Sequence, residues 1–217
     1  MSTIQKNIEA IYKTLSENIR LIAVSKTKPI ADLQEAYDAG QRDFGENKIQ
    51  EMTEKSEQLP KDIRWHMIGH VQTNKVKYMA PYVYMIHAVD SLKLLKEINK
   101  QASKYNRTIK CLLQLKIAKE EEKFGLNGEE LIEILDSEIF KDMKHLEING
   151  LMGMATFTAD TSIIKNEFNK IANLMQDLQP KYPFLNELST GMSGDYQIAI
   201  TKGSTMVRIG SAIFGER

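Results

Sequence analysis

Two lysines follow the apolar residues 21–24 near the start of the chain, and their positions suit covalent chemistry. If these apolar residues form a β-strand, alternation puts Lys26 on the same side as Ile22 and Val24. Burial disfavours the charged ammonium form, and a second cation at Lys28 acts in the same direction. The pattern therefore predicts a neutral amine that can form a Schiff base with an aldehyde. On spacing alone, a strand-end lysine that extends to solvent is the more common alternative.

Two loops in the last part of the chain, residues 188–195 and 208–215, are rich in glycine and serine. Glycine lets backbone amides approach an anion closely, and serine adds hydroxyl donors. Ordinary turns also use these residues, so either loop alone is weak evidence. The pair of loops predicts a phosphate-binding site.

The chain alternates short apolar runs with amphipathic helical patterns. The candidate strands are residues 20–26, 42–47, 64–70, 83–89, 109–116, 148–155, 186–190 and 206–212. The helical patterns include residues 31–40, 91–105, 128–140 and 162–178, and an additional amphipathic helix precedes the first strand. This order predicts an α/β fold, a single (β/α)8 TIM barrel that forms one domain over residues 1–217. A doubly wound open sheet is the competing topology.

A closed barrel would bring the two predicted features together, because its eighth strand pairs with its first. The glycine- and serine-rich loops would then lie beside Lys26, at the carboxyl ends of the strands. A small molecule that carries both an aldehyde and a phosphate would span the distance between them. Pyridoxal 5'-phosphate (PLP) has both groups, and we expect it as the cofactor.

Composition excludes several classes of partner. The 29 basic and 29 acidic residues balance, which predicts no binding to nucleic acid or to an anionic membrane surface. No apolar stretch approaches the roughly 20 residues that span a bilayer. Cys111 is the single cysteine and lies in an apolar run, which excludes an internal disulfide and fits a reducing cytoplasm. We therefore expect a cytoplasmic protein.

Other motifs give no second chemistry. Ser193 lies in a partial GxSxG motif, but Asp195 occupies its final glycine position, so we reject a hydrolase triad. His66 and His70 would be about 13 Å apart on a strand, too far to share one metal. The acidic residues 120–122 are typical of a solvated loop rather than a metal site. We predict no metal.

Six blocks of the sequence resemble the pyridoxal phosphate homeostasis protein family. They are AVSKTKP (23–29), FGENKIQE (44–51), WHMIGHVQTNK (65–75), GLMGMATF (150–157), LSTGMSGD (188–195) and STMVRIGSAIFGER (204–217). They follow the family's order over nearly the whole chain. The resemblance implies a fold type III PLP-binding barrel, similar to the barrel half of alanine racemase without its second domain. It favours the closed barrel over the open sheet.

The resemblance also implies roles for individual residues. Lys26 would hold PLP covalently, and Asn47 would lie near the ring 3-oxygen. The residues around the phosphate would be Ser189, Met192, Ser193, Arg208, Gly210 and Ser211. Candidates for the cavity wall are His66, Met67 and Met154, with plain core packing as the alternative. The family usually has Asp at position 194, where this chain has glycine, so Asp195 becomes the candidate side-chain N-cap of the next helix.

The function that the resemblance implies is binding, buffering or delivery of PLP, with no catalytic residues. PLP-requiring apo-enzymes would be the partners in delivery. A PLP enzyme needs a second acid or base, and nothing in the sequence poises Tyr82, Tyr84 or Tyr196 for that role. A PLP-dependent amino-acid racemase or lyase is the alternative, and a Schiff-base aldolase is disfavoured because residues 148–155 contain no lysine. The missing second domain favours a monomer.

Overall fold

The strands of this computed structural model, which describes residues 2–118 and 124–216, close into a barrel. They are β1 (Arg20–Val24), β2 (Asp43–Glu46), β3 (Arg64–Met67), β4 (Met85–Val89), β5 (Ile109–Leu115), β6 (Leu146–Gly153), β7 (Glu187–Ser189) and β8 (Met206–Ile209). The parallel strands follow chain order around the barrel, and β8 pairs with β1. Arg20 lies opposite Met206, and Ala23 lies opposite Ile209. The predicted barrel is confirmed, and the open sheet is excluded.

Helices alternate with the strands. The described helices are α1 (Thr3–Tyr12), α2 (Ile30–Asp38), α3 (Ile49–Gln58), α4 (Val76–Met79), α5 (Leu92–Lys104), α6 (Gly128–Asp136), α7 (Glu138–Lys141), α8 (Thr161–Leu178), α9 (Tyr196–Thr201) and α10 (Ser211–Phe214). The predicted additional N-terminal helix is confirmed as α1, which begins with a capping box between Ser2 and Gln5. Within residues 2–118 and 124–216, no helix has the length and apolar character to cross a membrane.

Side chains alternate along each strand between the barrel interior and the layer under the helices. In β2, Phe44 packs in the outer layer, whereas Gly45 faces Ile22 and Ile68 inside. Both faces of the strands are buried, which explains why several runs are apolar on successive residues. An inner cluster fills the barrel centre and consists of Met85, Leu112, Met152 and Met206. Cys111 is fully buried, as its apolar surroundings in the sequence predict.

Candidate functional site

A cavity of about 640 Å³ opens at the carboxyl ends of the strands. Its lining combines charged, polar and apolar side chains from several loops. The lining residues include Val24, Lys26, Lys28, Asn47, Gln114, Met154, Met192, Ser193, Asp195, Arg208, Gly210 and Ser211. Barrels of this type hold their ligands at this end. The predicted Schiff-base lysine and the two predicted phosphate loops therefore share one cavity.

Lys26 and Lys28 lie in the loop after β1 and have different surroundings. Lys26 is half-buried and lines the cavity. Lys28 also lines it, but its Nζ donates hydrogen bonds to three backbone carbonyls near the end of the chain. These carbonyls belong to Phe214, Gly215 and Glu216, at 3.0, 3.1 and 3.2 Å. Both lysines therefore reach the cavity, and Lys28 is bonded to the carbonyls near the end of the chain.

A buried ion cluster lies beside this loop. Lys55 on α3 is almost fully buried, and its Nζ lies 2.7 Å from Glu46 Oε1 and 2.7 Å from Glu51 Oε1. The Ser25 hydroxyl donates to Glu46 at 2.7 Å. Burial raises the pKa of Glu46. Burial also acts on Glu51, but the hydrogen bonds that it accepts outweigh this effect and lower its pKa.

The same cluster fixes the backbone on both sides of Lys26. On one side, Lys55 donates to the Ser25 carbonyl at 2.8 Å. On the other side, Glu51 accepts a hydrogen bond from the Thr27 amide at 2.5 Å. Thr27 has a φ of 65°, a left-handed conformation that costs a β-branched residue energy. The ion cluster therefore stabilises a turn that presents Lys26 to the cavity.

Two further strand ends contribute polar groups. Asn47 follows β2 and lines the cavity, and its backbone touches Gly69. A Cβ atom on Gly69 would lie 2.4 Å from the Asn47 carbonyl oxygen, so only glycine fits there. Gln114 on β5 also lines the cavity and donates to the Phe124 carbonyl at 2.9 Å. Sequence reasoning missed Gln114, although it is an uncharged polar residue within an apolar strand.

The two loops predicted to bind phosphate are bonded to each other through Ser193. Its hydroxyl oxygen accepts hydrogen bonds from the Gly210 amide at 3.2 Å and the Ala212 amide at 3.4 Å. Two backbone amides thus converge on one oxygen atom, an arrangement that also binds the oxygen of an anion. Met192 and Ser211 line the same cavity. The two amides that converge on Ser193 are the type of donor to which a phosphate binds.

Asp195 closes the first of these loops. Its carboxylate accepts a hydrogen bond from the Met192 amide at 2.5 Å. The residue directly precedes α9 but makes no side-chain capping hydrogen bond, so the predicted capping role is wrong. The physical reason is that the carboxylate turns back to an amide three residues earlier. Burial raises the pKa of Asp195, although the Met192 amide and Arg208 act against this.

Arg208 and Ser189 lie in the barrel interior at the base of the cavity. Arg208 donates to the Ser189 carbonyl at 2.7 Å, to the Ser189 hydroxyl at 2.6 Å and to the Gly153 carbonyl at 3.0 Å. Burial lowers the pKa of Arg208 to about 10, so the guanidinium is charged at neutral pH. Arg208 lines the cavity, whereas Ser189 is fully buried and is absent from its lining. Ser189 supports Arg208 from below.

Comparison with known proteins identifies the family. Residues 1–217 match the family model described as alanine racemase, N-terminal domain. A pyridoxal phosphate homeostasis protein of Vibrio alginolyticus is 38% identical over an alignment of 232 residues. The alignment covers 100% of this chain and 99% of that protein. The protein of the same name from Synechocystis is 40% identical over 210 residues, 95% of each chain. The chain belongs to the pyridoxal phosphate homeostasis protein family.

Solved structures agree with this membership. PipY of Synechococcus elongatus, solved with PLP bound, is 33% identical and matches with a TM-score of 0.90 over 98% of this chain and 100% of PipY. Alanine racemase of Clostridium difficile matches 99% of this chain with 57% of its own length, at a TM-score of 0.77 and 14% identity. The second likeness shows the barrel fold alone.

The three expected wall residues of this family member have different positions. Met154 lines the cavity. Met67 packs in the outer layer under the helices, and His66 is buried within the barrel away from the cavity lining. Plain core packing, the alternative for these candidates, describes these two residues. Adjacent residues of a strand face opposite sides, so His66 and Met67 could not both face the cavity.

No group of three or more His, Cys, Asp or Glu side chains suited to a metal ion occurs in the described part of the chain. His70 lines the cavity, where its Nδ1 lies 3.2 Å from Asp90 Oδ2 and its ring stacks on Phe124 at 3.8 Å. The acidic residues 120–122, expected to form a solvated loop, lie outside the described residues.

Asp43, at the start of β2, is a buried carboxylate away from the cavity. Arg64 donates two hydrogen bonds to it, at 2.8 and 2.5 Å, and His66 Nε2 lies 2.9 Å from Oδ1. Burial acts to raise the pKa of Asp43, but the bonds from Arg64 and His66 outweigh it and lower the pKa to about 2. Asp43 is therefore ionised in the folded protein at all but strongly acidic pH.

Replacing Asp43 with asparagine is expected to lower the free energy of unfolding by about 2 kcal/mol at neutral pH. A depressed folded-state pKa gives stability above the unfolded-state pKa of about 4, and this stability is lost as the pH falls toward about 2. Urea unfolding of both proteins from neutral to acidic pH measures the difference, which should shrink below about pH 4. A difference that stays constant with pH would contradict this. Asp142→Asn, an exposed change, is the control.

Proposed function

We propose that this protein binds PLP covalently through Lys26 and serves PLP homeostasis by binding, buffering or delivering the cofactor. The observation that carries the proposal is the single cavity that Lys26 shares with the two loops joined at Ser193. Its volume of about 640 Å³ is in the range of small-molecule sites. The relatives named for PLP homeostasis and the PLP-bound structure of PipY support the proposal.

The residues of the cavity fit the chemical groups of PLP. When bound, PLP supplies an aldehyde that condenses with a primary amine and releases water, and Lys26 offers that amine. The side-chain amide of Asn47 can donate a hydrogen bond to the phenolic oxygen of the ring. The proposed phosphate residues are Met192, Ser193, Gly210 and Ser211. Arg208 adds a buried cation to the cavity, and Ser189 holds it in place.

The positions of three tyrosines favour a carrier over an enzyme. The Tyr82 hydroxyl lies 2.9 Å from the Thr53 hydroxyl, and burial raises the pKa of Tyr82 to about 12. The Tyr196 hydroxyl lies 3.1 Å from that of Thr14. Tyr84 packs against His66, and none of the three tyrosines lines the cavity as described. The three tyrosines considered from the sequence as a second acid or base therefore contact residues outside the cavity lining.

Titration with PLP tests the covalent site, with the two cavity lysines as a matched pair. We expect a visible absorption band with the unmodified protein and with Lys28→Arg, which keeps a cation for the carbonyls near the chain end. We expect no band with Lys26→Arg, because a guanidinium does not condense with an aldehyde under these conditions. Loss of the band in Lys28→Arg alone would overturn the assignment to Lys26.

Exchange of α-protons tests the carrier role against the racemase or lyase alternative. The protein is saturated with PLP in deuterated water, and each amino acid is followed by NMR for loss of its α-proton signal. The carrier role predicts no exchange above that of free PLP. Turnover that disappears in Lys26→Arg would establish an enzyme instead. His70→Gln then tests whether the imidazole that lines the cavity takes part.

Several finer properties stay predictions. They are a single domain over the whole chain, a monomeric state, a cytoplasmic location and delivery of PLP to apo-enzymes. Mixing the PLP-loaded protein with a PLP-requiring apo-enzyme tests delivery, since direct transfer should activate the enzyme faster than dissociation into a PLP trap allows.

A further inference from the structure

A continuous chain of hydrogen bonds crosses the barrel interior from Asp43 to Arg208. Asp43 Oδ1 lies 2.9 Å from His66 Nε2, and His66 Nδ1 lies 2.8 Å from His87 Nε2. His87 Nδ1 lies 2.9 Å from the Ser189 hydroxyl, which accepts from Arg208 at 2.6 Å. The five side chains come from β2, β3, β4, β7 and β8. All five are buried, so water does not compete for these contacts.

Asp43 and Arg208, the two ends of this series of hydrogen bonds, fix which atom donates in each bond. An ionised carboxylate only accepts, so His66 must carry its proton on Nε2. Burial lowers the pKa of both His66 and His87, which keeps the rings neutral with one proton each. His66 Nδ1 is then an acceptor, and His87 must donate from Nε2.

The donors in the second half of this series of hydrogen bonds follow from those in the first half. His87 Nδ1 has no proton and accepts from the Ser189 hydroxyl. The oxygen of Ser189 is left to accept from Arg208, which only donates. Each proton therefore points from Arg208 toward Asp43, and each hydrogen bond polarises the next in the same sense.

We propose that Asp43, His66, His87 and Ser189 are positioning residues that hold and orient the Arg208 guanidinium for the ligand of the cavity. Arg208 has no carboxylate within hydrogen-bond distance in the described structure. The charge of Asp43 is paired with Arg64, so Asp43 acts on Arg208 by fixing the direction of the hydrogen bonds that link the two residues. Three hydrogen bonds to Ser189 and Gly153 occupy three of the five N–H groups of Arg208. Arg208 also lines the cavity, so we expect its remaining N–H groups to donate to acceptor atoms of a ligand.

NMR of the protein tests this series of hydrogen bonds without any ligand. The sequence has four histidines, so ¹⁵N correlation spectra of their rings are simple, and His70→Gln and His145→Gln remove the other two signals. We expect both His66 and His87 to be neutral with the proton on Nε2. In Asp43→Ala we expect the shifts of both rings to move away from this single tautomer. An Nδ1 proton on either ring of the unmodified protein, or unchanged tautomers in the variant, would overturn the proposal.

The effect on the ligand rests on the proposed function and is measured with PLP. We expect Asp43→Ala and Ser189→Ala each to weaken PLP binding by about tenfold, because each breaks the buried chain. The double variant should bind PLP as tightly as the single variant with the lower affinity, because both substitutions act through Arg208. Additive losses would overturn the coupling. Arg64→Gln removes the other partner of Asp43 and is the control, with unchanged ring tautomers.

The NMR and PLP-binding experiments test the positioning role and the proposed function independently. If the unmodified protein does not bind PLP but its histidines have the expected tautomers, the proposed function is wrong and the chain of hydrogen bonds stands. If PLP binds through Lys26 but the tautomers differ, the proposed function stands and the positioning role of Asp43 is wrong.

Discussion

Replacing Lys55 with methionine is expected to lower the free energy of unfolding by about 3–5 kcal/mol, the cost of leaving a buried charge without its partner. Lys55 exposes 5% of its surface and contacts Glu46 and Glu51, both at 2.7 Å. Without it, the carboxylate of Glu46 is buried with the Ser25 hydroxyl as its remaining partner among the described residues. Urea unfolding measures the loss. PLP binding should weaken too, because the turn around Lys26 loses its support.

Two further variants sharpen this test. A hydrophobic pair often replaces a buried ion pair without loss, so Glu46→Leu combined with Lys55→Met should recover most of the stability. Lys141→Met removes an exposed ion pair with Glu138 and should leave stability unchanged. A double variant that is no more stable than Lys55→Met would contradict the role of the buried charges.

Replacing Gly69 with alanine is expected to destabilise the protein by about 1–3 kcal/mol through overpacking, and also to weaken PLP binding. The added methyl group would meet backbone atoms of Asn47 at 2.4, 2.7 and 2.9 Å. Backbone cannot rotate away as a flexible side chain can, so the end of β2 must move. Because Asn47 lines the cavity, the displacement reaches the ligand site. Urea unfolding and PLP titration measure the two effects.

Gly194→Ala is the matched control, since Gly194 also lines the cavity but has nothing within 4 Å of an added methyl group. We expect its stability and PLP affinity to equal those of the unmodified protein. Equal behaviour of the two alanine variants would contradict the packing argument at Gly69.

The sequence predicts those features of the fold that follow from a repeated or alternating pattern of residues. The βα pattern predicts the barrel, and alternation along β1 puts Val24 and Lys26 on the inner side, where both line the cavity. The loops at Ser193 and Gly210 are recognisable because glycine and serine cluster there. Closure of β8 onto β1 then brings these loops beside the lysine.

What the sequence does not reveal depends on contacts between distant elements. The i,i+4 spacing of Glu51 and Lys55 suggests a helical ion pair, but only the packing of α3 on the barrel shows that Glu46 joins it. Whether Met67 faces the cavity or packs in the core depends on the register of its strand, which the sequence alone does not give. Ser189 has the residue type of a phosphate ligand, yet its hydroxyl bonds to Arg208 and His87.

Borohydride reduction of the PLP-loaded protein, followed by peptide mapping, shows which residue binds PLP. Reduction makes the bond between PLP and an amine permanent, so mass spectrometry identifies the modified residue among all lysines of the chain. We expect loss of the visible band and one phosphopyridoxyl group per chain, on Lys26. A protein that remains unlabelled at saturating PLP, or that carries its label on Lys28 or on surface lysines, would contradict it.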